Sequence, residues 1–396
     1  MAEWIDCKIA DLGTVIGGAT PSTKRLEYYE NGSIAWITPK DLSTFRGRYI
    51  LRGERNITEI GLKSCSTQLL PKNTVLFSSR APIGYIAIAE NELCTNQGFK
   101  SVIPNENTDP LFLYYLLKYN KNKIESMGSG TTFKEVSGNT MKNILVSVPR
   151  DKKVQEQISS ILGAIDNKIE SNEKINNNLE QQAEALFHSL FVENVNPVWK
   201  EGVLSDLGTV VAGGTPSKTK PEYYSEKGIA WITPKDLSLN KSKFISHGEI
   251  DISELGFSKS SVIKMPTGTV LFSSRAPIGY IAIAANEVTT NQGFKSVVPN
   301  ENIGTAFMYY LLKFLLPTIE GMASGSTFKE ISGAGMKSVP VVIPDNETID
   351  KFNAFCTPIF KQQEVLEVEN SRLVDIRDAL LTKLMAGDLD VSGIEL

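Results

Sequence analysis

Cysteine and histidine are scarce in this sequence. Its 396 residues include four cysteines, none of them in a CxxC pair, and two histidines. Disulfide frameworks and zinc sites need closely spaced cysteines or histidines, and proton transfer near neutral pH commonly uses histidine. The composition therefore argues against a disulfide-stabilised domain, a metal site and chemistry built on histidine.

Long apolar segments are also missing. No stretch approaches the ~20 apolar residues of a membrane span, and residues 1–10 lack the basic start and apolar core of a signal peptide. We therefore expect a cytoplasmic protein without membrane contact. Lysine and arginine number 41 against 45 acidic residues, a net charge of −4, so a nucleic-acid partner would have to meet locally basic surface.

The sequence does contain an internal duplication. At an offset of 195 residues, Asp11–Pro149 aligns without a gap with Asp206–Pro344, and 81 of the 139 positions are identical. Chance does not produce such agreement. Each half of the chain is therefore expected to carry one folded domain of about 150 residues.

Agreement between the two copies is uneven. Thr74–Val102 matches its counterpart at 26 of 29 positions, whereas Thr44–Asn73 matches at only 8 of 30 although its length is kept. This pattern favours a shared binding mode with a different readout in each copy. Neutral drift in a tolerant surface loop is the alternative.

Each copy has the pattern of a mixed α and β domain, so the fold class is predicted to be α+β. Short runs rich in Val, Ile and aromatic residues, separated by Gly, Pro and Asn, predict strands at 34–38, 74–78, 84–89 and 99–103. Asp109 followed by Pro110 is typical of a helix start. A helix is predicted over residues 110–126.

Each domain is followed by a long segment in which apolar residues recur at spacings of three and four, which predicts two long helices. Neither helix can bury its apolar stripe alone, so the two are expected to form one intramolecular antiparallel coiled coil. The predicted seam comprises Ile158, Leu162, Ile165, Asn176, Leu179, Leu186, Phe352, Ile359, Asn370, Leu373 and Leu380.

Two asparagines, Asn176 and Asn370, occupy equivalent positions near the middle of this seam. A buried asparagine can fix the register of a coiled coil, although both side chains could instead face solvent. The sequence thus divides into a first domain (1–151), a central long helix (152–194), a second domain (195–346), and a C-terminal long helix with its tail (347–396).

None of the common enzyme signatures is present. Gly213–Thr219 (GGTPSKT) resembles a phosphate loop but lacks the glycine before the lysine. No G-x-G-x-x-G follows a strand, and the Asn/Asp-Pro-Pro-aromatic tetrad of amino-methyltransferases is absent. We therefore expect a non-catalytic chain with no metal and no cofactor of its own.

Both copies share four short polar turns that contain hydroxyl, amide, Arg and Lys groups. Such groups bind phosphate oxygens and position a protein on DNA, although Ser, Thr, Asn and Gly also simply build turns. The candidate DNA-binding residues in these turns are Thr20, Ser22, Ser79, Arg80, Asn96, Gln97, Lys100, Thr131, Thr132 and Lys134, and Thr215, Ser217, Ser274, Arg275, Asn291, Gln292, Lys295, Ser326, Thr327 and Lys329.

Base reading is predicted in and beside the divergent stretch, because Arg and Lys suit guanine and a change there alters readout. The repeated aromatic residues Tyr28, Tyr29 and Trp36 are interpreted as packing residues. Solvated surface charge is the alternative for the basic residues. The candidates are Lys40, Arg46 and Arg48 in the first copy and Lys235, Lys241 and Lys243 in the second.

The doubled order of motifs resembles the specificity subunit of type I restriction-modification systems over essentially the whole chain. The motifs are L-G-x-V-x-x-G-x-T-P-S, W-I-T-P-x-D-L, F-S-S-R-A-P-I-G, N-Q-G-F-K and G-S/T-T-F-K-E, followed by a long helix. The resemblance implies two tandem, pseudo-two-fold related target recognition domains. Each would read one half of a bipartite site in double-stranded DNA.

The same resemblance implies two modification subunits docked on the chain and restriction subunits that join them. S-adenosylmethionine, ATP and Mg would belong to those partners. A helix of about 38 residues is roughly 57 Å long and could set the separation of the half-sites. The two copies are more alike than the family's dissimilar domains, which predicts related, partly palindromic half-sites.

Three alternatives remain from the sequence. A non-catalytic coiled-coil scaffold would keep the helices without needing the polar turns. A specificity subunit of another restriction-modification type would share the recognition domains. A self-sufficient modification or restriction enzyme is disfavoured by the missing motifs.

Overall fold

The computed structural model describes residues 2–130, 134–325, 329–391 and 393. The chain divides into two compact units: unit 1 comprises Met1–Ser171 and Arg372–Leu396, and unit 2 comprises Asn172–Ser371. Each unit therefore contains one globular domain together with part of each long helix. Among the described residues, no helix combines the length and apolar character needed to cross a bilayer.

Unit 1 and the helix that leaves it contain ten strands and seven α-helices among the described residues. The strands are β1 Trp4–Lys8, β2 Gly13–Gly17, β3 Ile34–Ile37, β4 Tyr49–Ile50, β5 Arg55–Ile57, β6 Val75–Ser79, β7 Ile83–Ala89, β8 Cys94–Thr95, β9 Lys100–Pro104 and β10 Leu145–Pro149. The helices are α1 Ile9–Leu12, α2 Pro39–Thr44, α3 Glu59–Lys63, α4 Pro110–Tyr119, α5 Lys121–Ser126, α6 Gly138–Asn143 and α7 Lys152–His188.

The central sheet of unit 1 has five strands in the order β2-β9-β6-β7-β4. Neighbouring strands within this sheet are antiparallel, except β4 and β7, which are parallel. A second sheet has the order β5-β3-β8, and β1 pairs with β10. All five residues of β6 are buried, because one face of the sheet packs under α4 and the other under a second apolar cluster.

Unit 2 repeats the central five-stranded sheet, but it has two separate strand pairs in place of the three-stranded second sheet. Its strands are β11 Lys200–Val203, β12 Gly208–Ala212, β13 Tyr224–Ser225, β14 Trp231–Ile232, β15 Phe244–Ile245, β16 Asp251–Ile252, β17 Val270–Ser274, β18 Ile278–Ala284, β19 Thr289–Thr290, β20 Lys295–Pro299 and β21 Pro340–Ile343. Its helices are α8 Leu204–Leu207, α9 Pro234–Leu239, α10 Glu254–Ser258, α11 Thr305–Phe314, α12 Leu316–Met322, α13 Gly333–Lys337 and α14 Asn346–Met385. The central sheet has the order β12-β20-β17-β18-β15.

The predicted α+β class and the tandem domains are confirmed, and the four predicted strands agree with β3, β6, β7 and β9 to within one residue at each end. The predicted helix 110–126 is wrong in one respect, because it is two helices, α4 and α5, that meet at Asn120. The Asn120 side chain donates to the Leu116 carbonyl at 2.9 Å. The backbone N–H of Asn120 donates to the same carbonyl at 3.0 Å, so both groups of Asn120 hold the end of α4.

The two long helices, α7 and α14, pack on each other within each unit. In unit 1, Ile158 and Leu162 share an apolar cluster with Leu381 and Leu384. In unit 2, the Asn172 amide donates to Asn370 at 2.8 Å, and Gln363 donates to the backbone carbonyl of Asn176 at 3.2 Å. Residue numbers rise along one helix as they fall along the other, so the pairing is antiparallel.

The predicted seam residues all lie at buried or half-buried positions. Four are buried: Ile158, Leu162, Phe352 and Ile359. Seven are half-buried: Ile165, Asn176, Leu179, Leu186, Asn370, Leu373 and Leu380. Asn176 and Asn370 are thus neither fully buried nor solvent-facing, and the side chain of Asn370 is contacted by the fully buried Asn172, one turn before Asn176.

Replacement of Leu162, which is fully buried at the start of this packing, tests the seam. Leu162→Ala should lower the free energy of unfolding by about 2–5 kcal/mol, because it removes apolar contacts and leaves a cavity. Urea unfolding followed by circular dichroism measures this loss. Ile175→Ala is the control, since Ile175 lies on the same helix and is 46% exposed; equal losses for the two variants would contradict the seam.

Candidate nucleic-acid interface

Each domain contains a cluster of two cations around one carboxylate, called here the basic cluster. In the first domain, Arg80 and Lys100 lie 3.4 and 3.2 Å from the Glu135 carboxylate. In the second domain, Arg275 and Lys295 lie 3.3 and 3.5 Å from Glu330. One positive charge in each cluster is therefore not balanced by the shared carboxylate. The arginines are more than one-third exposed, whereas the lysines are mostly buried.

Beside the basic cluster of the second domain lies a cleft of about 620 Å³, lined both by polar groups and by apolar residues such as Trp231 and Pro234. It brings together five of the predicted DNA-binding residues: Thr215, Lys235, Arg275, Asn291 and Gln292. The Thr215 hydroxyl donates to the Gln292 side chain, as Thr20 does to Gln97 in the first domain. The two polar turns therefore meet at one place in each domain.

One wall of this cleft is an aspartate clamp at the start of a short helix. Thr233 begins α9, and its backbone N–H and hydroxyl donate to Asp236 at 2.7 and 2.6 Å. The other oxygen of Asp236 accepts the backbone N–H of Glu249 at 2.8 Å. This clamp ties the two ends of the loop 237–248 together.

The first domain has the same clamp. Thr38 donates to Asp41 at 2.7 and 2.6 Å, and the N–H of Glu54 donates to Asp41 at 2.7 Å. A Cβ on Gly53 would lie 2.8 Å from this carboxylate, so the close approach requires glycine. Lys40 and Lys235 are exposed and pair with Glu54 at 2.7 Å and Glu249 at 2.5 Å.

Aromatic residues support the turns from inside. Trp36 donates to the Ala19 carbonyl at 3.1 Å, and Tyr29 donates to the Pro21 carbonyl at 2.6 Å. Trp36 and Tyr29 are buried and Tyr28 is half-buried. The interpretation of Tyr29 and Trp36 as packing residues is confirmed.

Several predicted residues are accessible in the turns and loops. Asn96 and Asn291 each accept the N–H of the glycine two residues later at 2.8 Å, so they build the turn. Lys241 lies over the Tyr280 ring at 4.7 Å. The exposed members of the predicted set are Ser22, Lys40, Arg46, Gln97, Lys134, Ser217, Lys235, Lys241, Gln292 and Lys329.

Two predicted hydroxyl contacts are wrong. Ser79 and Ser274 are fully buried, and their hydroxyls donate to the carbonyls of Gly98 at 3.2 Å and Gly293 at 3.1 Å. They brace the turn that follows β8 or β19, because a buried hydroxyl needs an internal partner. Four further predicted residues, Thr131, Thr132, Ser326 and Thr327, lie outside the described residues.

The prediction that Arg48 reads bases is also wrong, because its side chain is only 5% exposed. The guanidinium donates to Glu170 at 2.9 Å and to Asn167, both on α7. Burial alone would lower the pKa of Arg48, but the pairing with Glu170 outweighs it and raises that pKa above its usual value. Arg48 therefore fastens its loop to the first long helix.

The prediction that Lys243, the counterpart of Arg48, reads bases is wrong for the same reason. Its ammonium is buried, pairs with Glu180 and donates to Gln363 at 2.7 Å. Its backbone N–H donates to Glu367 at 2.8 Å. Burial lowers the pKa of Lys243 and raises that of Glu367.

The Glu180 carboxylate also has partners other than Lys243. Tyr310 donates to its carboxylate at 2.8 Å, and Lys313 lies at 2.8 Å. Burial alone would raise the pKa of Glu180, but the two lysines lower it to about 2. In unit 1 the equivalent tyrosine, Tyr115, donates to Asp166 at 2.6 Å, and Asp166 pairs with Arg377 at 3.0 Å.

Sequence reasoning missed the acidic partners in these arrangements. Glu135, Glu54 and Asp41 have identical counterparts at the offset of 195, in Glu330, Glu249 and Asp236. Their identity in both copies could have marked them as part of the site. Carboxylates repel phosphate, however, so they do not belong to a predicted set of phosphate-binding groups. The helix carboxylates Glu170 and Glu180 are not equivalent positions of the repeat, so comparison of the copies does not mark them.

Comparisons with known proteins identify the family of the chain. The family described as type I restriction modification DNA specificity domain matches residues 1–181 and 197–368. The type I restriction enzyme MjaIX specificity subunit of Methanocaldococcus jannaschii is 34% identical over 417 residues, covering 99% of this chain and 95% of the relative. The HindI specificity subunit of Haemophilus influenzae is 23% identical over 474 residues, covering 98% and 100%.

A solved structure shares the fold. The S subunit of a type I restriction-modification system from M. genitalium has a TM-score of 0.65 at 18% identity, covering 97% of this chain and 96% of that chain. The matches define a DNA specificity protein with two tandem domains. The chain belongs to the type I restriction-modification DNA specificity family, as a specificity subunit.

The buried Glu180 cluster generates a pH-dependent prediction. Because the pKa of Glu180 is lowered to about 2, its carboxylate stabilises the fold above its ordinary value of 4.5, and this contribution is lost as the pH falls from about 4.5 towards 2. Glu180→Gln should therefore destabilise the protein at pH 7, by about 3 kcal/mol since Lys243 loses its buried partner. The deficit should shrink as the pH approaches 2.

Urea unfolding of both proteins between pH 7 and pH 2.5 measures this difference. Glu347→Gln is the control, because Glu347 and Lys351 on α14 form an exposed pair, and it should leave the unfolding midpoint unchanged. A deficit for Glu180→Gln that stays constant with pH would refute the charge-based role.

Proposed function

We propose that this chain is the DNA-reading, non-catalytic subunit of a type I restriction-modification complex, and that each domain contacts one half of a bipartite site in double-stranded DNA. Modification subunits supply methyl transfer from S-adenosylmethionine. Restriction subunits supply ATP- and Mg-dependent cleavage. The chain itself holds no cofactor in this proposal.

The repeated geometry of the basic cluster is the observation that carries the proposal. The distances from Arg80 to Glu135 and from Arg275 to Glu330 agree within 0.1 Å (3.4 and 3.3 Å), although 58 of the 139 aligned positions differ between the copies (139 − 81). An arrangement retained at a partly exposed place favours a common ligand. A phosphate backbone is such a ligand, because it is the same whatever the base sequence.

Divergence beside this constant arrangement supports sequence reading. Thr44–Asn73 and its counterpart differ at 22 of 30 positions (30 − 8), yet the aspartate clamp fixes the start of this stretch in both domains. Contacts to phosphate then set the position of the loop, and its variable side chains can meet base edges.

The long helices are proposed to set the separation of the half-sites and to receive the modification subunits. Val365 and Val368, which are neighbours three residues apart on α14, are each more than 40% exposed although they are apolar. Exposed apolar side chains on a helix support a protein partner at this surface.

The decisive experiment is methylation sequencing of DNA from cells that express the chain together with its neighbouring modification subunit. Cells that express the modification subunit alone are the control. The proposal predicts a new two-part methylated motif that appears only with the chain. Co-purification of the two proteins without any change in methylation would show a scaffold instead.

Substitutions in the basic cluster test phosphate contact directly. Arg80→Ala should weaken binding of the assembled modification complex to DNA, and it should reduce the slope of log affinity against log salt by about 1. Glu135→Gln should strengthen binding, because it releases two cations from their shared carboxylate. Fluorescence anisotropy at several salt concentrations measures both changes.

Arg150→Ala is the matched control, since Arg150 is an exposed arginine paired with Glu3 outside the cluster. It should leave both affinity and slope unchanged. Equal effects of Arg80→Ala and Arg150→Ala, or weaker binding by Glu135→Gln, would contradict the assignment.

A further inference from the structure

The residues that line the cleft of the second domain are almost all repeated in the first domain. Fifteen residues line the cleft, and at the offset of 195 the first domain carries the identical residue at thirteen of those positions. The two exceptions are Lys218, which corresponds to Thr23, and Ile250, which corresponds to Arg55. A difference in ligand between these equivalent surfaces would come from the two positions or from residues outside this set.

Ile250 contributes an exposed alkyl side chain to the cleft. It is 50% exposed, and the same wall combines polar groups with Trp231 and Pro234. Its side chain can offer only an apolar contact. In the major groove of DNA, the methyl group of thymine can make a favourable apolar contact with such a side chain.

Arg55 offers different chemistry at the equivalent place. Its guanidinium lies 4.1 Å from the ring centroid of Tyr29, and Tyr29 corresponds to Tyr224 of the cleft wall. The ring stabilises the cation and limits its motion, while the edge of the guanidinium keeps its N–H donors. A planar donor edge held in this way matches the two acceptors of guanine.

The second exception balances the charge. The first domain has Thr23 and Arg55, and the second has Lys218 and Ile250, so each domain has one cation at these two variable positions. Lysine acts as a point charge that suits phosphate. Both domains therefore keep a cation that attracts the DNA phosphate backbone. The group available to a base edge is a hydrogen-bond donor in the first domain and an alkyl side chain in the second.

The other basic candidates in the stretch do not provide this contrast. Lys40 and Lys235 are identical in the two copies and are paired with glutamates. Arg48 and Lys243 are buried. Arg46 and its counterpart Lys241 are both exposed cations outside the lining of the cleft, so they do not replace a donor with an alkyl group.

The geometry points to Arg55 and Ile250 as the pair that makes the two half-sites differ at one base pair, an inference that rests on the proposed function. The first domain prefers G·C there, with guanine facing Arg55. The second domain prefers an A·T pair whose thymine methyl meets Ile250.

Reciprocal substitution tests the assignment in the complete complex. Arg55→Ile, Ile250→Arg and the double variant are each expressed with the modification subunit, and methylated motifs are determined by sequencing. Arg55→Ile should change the first half-site at one position from G·C towards the base pair of the second half-site, and Ile250→Arg should do the reverse. Preference at that position should shift by about tenfold or more.

The matched control exchanges Lys63→Ser with Ser258→Lys, an equivalent pair of exposed residues in the same divergent stretch but outside the cleft. This control should keep the wild-type motif. Thermal unfolding of each variant shows that it is folded.

Three results overturn the inference. Variants that fold but keep the wild-type motif would exclude these residues as the discriminating pair, while the proposed function would stand. Identical half-sites in the wild-type motif would also exclude Arg55 and Ile250 as a discriminating pair and would leave the proposed function standing. Absence of any chain-dependent methylation with the wild type would remove the proposed function and this inference together.

Discussion

Buried charge pairs on the first long helix fix how each globular domain is held. In unit 1, Glu170 receives the buried Arg48; in unit 2, Glu180 receives the buried Lys243. Separating such a pair would leave a charge in an apolar environment, which costs several kcal/mol. Apolar packing along α7 and α14 joins the helices, but these pairs specify which part of the helix each recognition loop contacts.

The attachment and the readout therefore share one segment of chain. Arg48 lies seven residues before Arg55, and Lys243 lies seven residues before Ile250. The clamp from Asp41 or Asp236 joins the two ends of the loop, and the cation within the loop ties it to a helix. The exposed residues that follow the cation are thus presented from a loop with little freedom, and a rigid loop loses less conformational entropy when it binds.

Much of the fold could be predicted from the sequence because its signals are local or repeated. Short apolar runs between turn residues located β3, β6, β7 and β9, and the heptad spacing located the long helices. Partners distant in sequence could not be predicted in this way. Arg48 and Glu170 are 122 residues apart, and a basic residue in a polar loop has the same appearance whether it faces DNA or a helix.

The polar position of the seam shows a similar limit. Heptad spacing places both Asn172 and Asn176 on the apolar stripe, since they are one turn apart. The partner of Asn370 depends on the relative axial position of the two helices, which single-helix periodicity does not contain. In the candidate interface, the turns were recognised by their residue types, whereas the role of Ser79 depends on its complete burial.

A few positions of the divergent stretch are identical in both copies. Their structural roles explain how the other positions of the stretch could change. Ile50 and Ile57 are buried, Gly53 leaves room for the Asp41 carboxylate, and a Cβ on Gly61 would lie 2.4 Å from the Tyr28 carbonyl. These positions, together with Glu54, are identical in the second copy. The stretch can therefore change most of its surface residues while these few positions preserve the course of its backbone, so that tolerance to substitution is built into the fold at this place.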